Sequence, residues 1–192
     1  MKVRDSGMPD EEMWVGFFDP AKVLNVLGLN SGIQNLAEFG CGYGTFTLAT
    51  ADIASGTVYA LDIEPEMVNV VQQKCLDAGK SNVQVVLRDF VAEGTGLDDN
   101  SMDAALLFNI LHHEEPVALM KEALRILKPN GTLAVIHWNY DPTTPRGPAM
   151  EIRPRPEQCI NWAIEAGFRF SEQNRFDLPP HHYGLIFKKP YI

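Results

Sequence analysis

A chain of 192 residues with 45% hydrophobic content is long enough for one domain that buries about 70% of its unfolded surface. Its net charge of −9 disfavours a nucleic-acid partner, and no apolar stretch approaches the ~20 residues of a membrane-spanning helix. Cys41, Cys75 and Cys159 are odd in number and widely spaced, which argues against a disulfide framework or a metal site. With Met1 to Asp5 offering no apolar signal core, a cytoplasmic protein is expected.

In chain order, residues 8–18 are rich in aromatics, with Trp14, Phe17 and Phe18 ahead of the first clear helix. They serve either as a lid over a site or as packing on a sheet; residues 1–18 are taken as a lid-like extension of a single domain spanning 1–192. Asp19-Pro20 supplies an N-cap and a proline at the first helical position, and that helix closes near Gly28. An apolar run then enters Glu38-Phe39-Gly40-Cys41-Gly42-Tyr43-Gly44-Thr45 and a helix from Phe46 to Ala54. Alternate glycines let the backbone turn sharply and let a ligand approach main-chain atoms. The next strand, Thr57 to Leu61, ends at Asp62, roughly twenty positions on, where a carboxylate can reach a ribose diol. These features predict a nucleoside-binding βαβ unit.

Glu64-Pro65 starts a helix whose apolar residues recur at helical spacing until Gly79, and Val83 to Leu87 is a strand leading to Asp89-Phe90. Asp103 to Phe108 is nearly all apolar, as a parallel strand covered on both faces should be. A helix over 115–127 follows, then Lys128-Pro129-Asn130-Gly131 as a turn and a strand from Thr132 to His137. The segment 138–156 has five prolines, three arginines and no periodicity; a loop that long is usually functional. The chain closes with a helix over 156–166, a strand over 168–176 and another over 183–188.

The glycine stretch resembles the first motif of the class I S-adenosylmethionine-dependent methyltransferases, an acidic residue followed by G-x-G-x-G. A dinucleotide motif would want glycine where Thr45 stands, which disfavours a nicotinamide-dependent oxidoreductase. The resemblance extends from about Asp19 to Lys188. It implies a doubly wound, mostly parallel seven-stranded Rossmann-like sheet ending in an antiparallel hairpin, with S-adenosylmethionine as cofactor. Glu38, matching the family's acidic residue, would hold the methionine ammonium; Gly40, Cys41, Gly42 and Gly44 would pass close to the cofactor. Asp62 and Ile63 would meet the ribose, Asp89 and Phe90 the adenine, and Asn109 would follow at the end of strand four. Residues 108–113 resemble the same stretch in small-molecule methyltransferases, including quinone-biosynthesis and arsenite enzymes. The absence of D/N-P-P-Y/F there disfavours nucleic-acid or protein amide acceptors, and the cysteine placement disfavours arsenite. A small-molecule acceptor is expected, with a cofactor-binding but catalytically silent partner subunit as the alternative; oligomeric state is left open.

Ligands of open α/β sheets bind beyond the carboxyl ends of the strands. That rule gives Asp103, at the start of its strand, a structural role, and sends all five histidines to one edge. His137 and His113 are the expected proton acceptors, beside the hairpin carrying His181 and His182; packing or solvated-turn roles are the alternative. Trp138 and Tyr140 are candidates for an apolar wall. Arg146, Arg153 and Arg155 either meet an anionic acceptor or balance the chain's own acidic surplus.

Overall fold

The computed structural model describes residues 10–191; Met8 and Pro9, and with them the first half of the expected lid-like extension, lie outside the described residues. Seven strands form one sheet: β1 (Leu36–Phe39), β2 (Val58–Asp62), β3 (Val83–Leu87), β4 (Met102–Phe108), β5 (Leu127–Trp138), β6 (Arg175–Leu178) and β7 (His182–Lys188). Their spatial order is β3-β2-β1-β4-β5-β7-β6. The first five run parallel, and β7 inserts antiparallel between β5 and β6. This is the Rossmann-like, mostly parallel seven-stranded sheet with an antiparallel hairpin that the family resemblance implies.

Both faces are covered, and strand periodicity decides which residue meets which layer. Leu36, Ala104, Leu106 and Ile136 pack under α2 (Pro20–Val26) and α3 (Thr45–Ile53). Ala37, Phe39, Leu107 and Val135 point the other way, towards α5 (Pro116–Ile126) and α6 (Pro156–Ala166). α4 (Pro65–Asp77) covers Ala60 beyond β1 through Val71 and Cys75. A short helix, α1 (Glu11–Val15), precedes these; Asp10 caps it by accepting from the Met13 N–H at 2.9 Å. Among the described residues no helix is long and apolar enough to cross a membrane.

Two expected elements differ. Residues 168–176 do not form one strand: Arg169 makes a single bridge to Lys188, Glu172–Asn174 turns as a 3₁₀ helix, and pairing resumes at Arg175. The alternating Phe168 and Phe170 give way to the polar run Ser171 to Asn174, where the Asn174 N–H closes a turn on Ser171 O at 2.8 Å. The expected turn over 128–131 is instead an irregularity inside β5. The register jumps from Met102↔Leu127 to Ala104↔Thr132, with Asn130 at φ 62°. Its backbone is satisfied by the chain end, Asn130 N–H to Lys189 O at 3.1 Å and Lys189 N–H to Gly131 O at 3.0 Å.

Asp103 takes the structural role expected of it. Its carboxylate accepts from the Asn35 and Gln34 N–H groups at 2.8 and 3.2 Å and from Lys128 Nζ at 2.7 Å, fixing the starts of β1, β4 and β5 together. Asp103→Ala should therefore lower stability by roughly 1.5–3 kcal/mol, the scale of charge-assisted bonds, while ligand binding at the opposite edge stays unchanged. Urea unfolding together with ligand titration of the folded variant checks both halves.

Candidate active site

Strand order reverses between β1 and β4, so the connections leaving them diverge and open a crevice at their carboxyl ends. A cavity of about 330 Å³ sits there, walled by residues following β1, β2, β3 and β4, by Trp138 at the end of β5 and by Trp14 of α1. Of the residues singled out from sequence, Glu38, Gly40, Cys41, Gly42, Asp62, Ile63, Phe90, Asn109 and His113 line it. Gly44, Asp89 and His137 do not.

Each departure has a cause. Gly44 starts α3 at φ 80°, and a Cβ there would come within 3.0 Å of Val71, so it serves helix packing rather than the cavity. Asp89 turns back on its own loop and accepts from the Ala92 N–H at 2.9 Å. His137 is fully buried on the α5 side of the sheet, with its Nε2 3.4 Å from His112 Nδ1. It stands behind His112, which does line the cavity, and burial holds its pKa well below the usual histidine range.

The expected meeting of His113, His137, His181 and His182 does not occur. Side-chain alternation sends His137 to one face and Trp138 to the other, where Trp138 packs on His182 at 4.2 Å between ring centroids. His182 is enclosed by aromatics, including Phe18 at 4.4 Å, and its pKa is pushed down to about 3 by burial. Trp138 and Tyr140 also part company: Trp138 walls the first cavity, while Tyr140 borders a second cavity of about 420 Å³. His112 and His113 line both.

The acidic ledge is built from two strand ends. Asp62 Oδ2 accepts from the Gly42 N–H at 2.9 Å and Oδ1 from the Glu64 N–H at 3.0 Å, which leaves further lone pairs on each oxygen. Glu38 is buried and accepts from Thr47 Oγ1 at 2.5 Å. Burial raises its pKa to about 8; the Thr47 bond opposes the shift and the charge of Asp62 adds to it. Asn109 sits at φ 57°, and its side-chain N and O are both buried without a hydrogen-bond partner. A strained, doubly unmet amide on a cavity wall is a demand for a polar ligand. These groups fit the cofactor that the resemblance implies: a carboxyl pair for an ammonium and a diol, and an amide with spare donors and acceptors. Among the described residues no three His, Cys, Asp or Glu side chains are grouped to hold a metal ion.

The sequence carries no sign of Thr47 or Lys74, and it places His112 at this edge without singling it out from the other histidines. Lys74 pairs with the Glu11 carboxylate and donates to Tyr43 O at 2.8 Å, tying α1 to the glycine loop. Only the histidine pair at 112–113 was a visible signal; the partners of Thr47 and Lys74 are distant in the chain and carry no local pattern.

A family model described as a methyltransferase domain matches residues 37–135, just over half of the chain's 192 residues. The chain belongs to this family. Among solved structures it is similar to a SAM-dependent methyltransferase from Aquifex aeolicus, 27% identical, with a TM-score of 0.83 and coverage of 93% of this chain and 94% of that one. It also resembles the N-methyltransferase NodS of Bradyrhizobium japonicum, with a TM-score of 0.70 and 96% and 100% coverage; at 17% identity that likeness speaks to fold alone. A ubiquinone biosynthesis O-methyltransferase of Xanthomonas campestris is 34% identical over 111 residues, 55% of this chain. The chain spans 43% of that relative, less than half its length.

The raised pKa of Glu38 has a measurable consequence for this family member. Between pH 4.5 and about 8 the folded chain keeps a proton that the unfolded chain has lost, so this group's contribution to stability falls as pH rises through that window. His137 and His182, held neutral by burial, act in the opposite sense below about pH 6.5. Urea unfolding of wild type and Glu38→Gln from pH 5 to 9 isolates the carboxyl. The stability difference, wild type minus variant, should decline by up to ~1.4 kcal/mol per pH unit and flatten above 8. A pH-independent difference would contradict the assignment.

Proposed function

We propose that this protein transfers the methyl group of S-adenosylmethionine to a small-molecule acceptor. The observation that carries this reading is the buried Glu38 beside Asp62 across the glycine loop. Two carboxyls favour a cationic, diol-bearing ligand and oppose a pyrophosphate. In this reading Glu38 takes the methionine ammonium, Asp62 the ribose, Asn109 a polar group of the cofactor, and Phe90 and Ile63 its apolar surface. The cofactor supplies a methyl group already activated by its sulfonium. The chain's task is alignment, for which well-oriented reactants gain ~7–11 kcal/mol. Where the acceptor must lose a proton, His112 is the residue placed for it, on the cavity wall and backed by His137. His113 is not: its Nδ1 accepts from the Glu115 N–H at 3.1 Å, so the neutral ring carries its proton on Nε2 and is a donor there.

Three buried, unpaired thiols and the acidic composition support the cytoplasm as compartment and a small molecule, rather than a nucleic acid, as acceptor. Residues 10–18 act as a cover. Trp14 reaches the cavity, while Phe17 and Phe18 bed on Trp138 and His182. Proteolysis before Asp19 should slow at least severalfold when the cofactor binds; equal rates would make the segment fixed packing.

Calorimetry tests the cofactor assignment. S-adenosylmethionine and S-adenosylhomocysteine should bind and NAD should not. Both bound ligands should release close to one proton at pH 7, read from buffers of different ionisation heat, because the ammonium returns Glu38 to its carboxylate form. Asp62→Ala should weaken both by roughly tenfold or more, the scale of one charge-assisted bond. Tight NAD binding, or an unaffected Asp62→Ala, would reject the proposal.

A further inference from the structure

None of the residues assigned to the cofactor lines the second cavity, yet it shares a wall with the first through His112 and His113. Its chemistry is one-sided in depth. Arg153 is 6% exposed and spends its guanidinium on neutral oxygens: Pro148, Asn139, Asp141 and Arg146 carbonyls and the Thr144 hydroxyl. No described carboxylate lies within ion-pair distance of it; dipoles make all its hydrogen bonds, and the Asp141 carboxylate acts on its charge only from farther off. Arg155 stacks over the Tyr140 ring at 3.6 Å and likewise has no ion-pair partner among the described residues. The amino ends of α5 and α6, each of 11 residues, open on the same space at Pro116 and Arg155. His113, 8% exposed, brings an Nε2–H to the shared wall, as its Nδ1 is taken by a backbone donor. The two carboxylates on the lining, Glu114 and Glu151, are both on exposed residues at the rim.

We propose that the second cavity anchors the methyl acceptor and that it selects a small carboxylic acid. The acid's carboxylate meets Arg155, held ready by Tyr140, while the body of the acceptor passes His113 towards the first cavity. Arg153 contributes positive potential rather than hydrogen bonds, since its donors are committed to the loop. A monoanion fits better than a phosphate dianion, because the rim glutamates and the net charge of −9 penalise the second charge. A planar guanidinium also matches a carboxylate two bonds at a time. This inference rests on the methyl-transfer reading for its meaning, but its binding step can be measured separately.

The test uses the full chain, with and without S-adenosylhomocysteine, and a panel of aromatic and aliphatic carboxylic acids, each matched with its primary amide. By calorimetry or thermal shift, at least one acid should bind tenfold or more tightly than its amide. Arg155→Gln should erase that preference, and Arg155→Lys should restore part of it. S-adenosylhomocysteine affinity should stay within twofold in both variants. If no acid outperforms its amide while S-adenosylhomocysteine binds, the acid-selecting site is wrong and the methyltransferase reading stands. If Arg155→Gln leaves the preference intact, the assignment to this cavity is overturned. If acids are preferred through Arg155 but S-adenosylhomocysteine does not bind, the site stands and the methyl-transfer reading falls.

Discussion

The carboxylate of Asp62 is the contact on which the site depends. One oxygen holds the Gly42 N–H and the other the Glu64 N–H, so the connections leaving β1 and β2 are fixed as one surface. Backbone bonds from the Gly40 and Cys41 N–H groups to Leu61 O anchor the start of the loop, and the Asp62 bond to Gly42 adds the hold on its middle, where three left-handed glycines lose the most freedom on ordering. Asp62 can do this because parallel pairing in register places it one residue beyond the Phe39↔Leu61 pair, at the level of the glycine turn.

Glu38 follows from the same geometry. It faces the α3 side of a strand buried on both faces, where among the described residues its hydrogen-bond partner is Thr47 on the helix the glycine loop launches. A lone carboxyl in that position favours its neutral form, and a nearby cation is what restores the charge. The site is thus tuned by burial as much as by residue type, and Asn109 beside it carries a similar unmet demand.

The second cavity is held differently. Residues 139–155 have no regular structure, and Arg153 takes its place as an organiser, gathering carbonyls from 139, 141, 146 and 148. Gly147 lies against it: a Cβ there would fall 2.9 Å from both the guanidinium and the Trp138 ring. A loop shaped by one buried cation is ordered without helix or strand, and it turns Arg155 and Tyr140 towards the space beside His113.

Much of this was written locally in the chain. The acidic-glycine stretch, Asp62 at a strand end, proline and acidic N-caps, and the apolar run Ala104 to Phe108 act over a few residues, and they marked most strands and helices and the edge at which the strands end, while the seven-stranded arrangement followed from the family resemblance. Asp103 was legible as structural for the same reason, because a strand's start and end are known from its direction. What chain order could not say is which face a residue at a strand end turns to, or what stands behind it. His137 and Trp138 are neighbours in sequence, yet one is sealed beside His112 and the other walls the cavity. The polar break at Ser171 to Asn174 and the bulge at 128–131 were likewise decided by partners from distant strands, through the bridge to Lys188 and the bonds to Lys189. Whether His113 donates or accepts depended on a single backbone N–H at Glu115, a matter of three-dimensional placement that residue type alone does not encode.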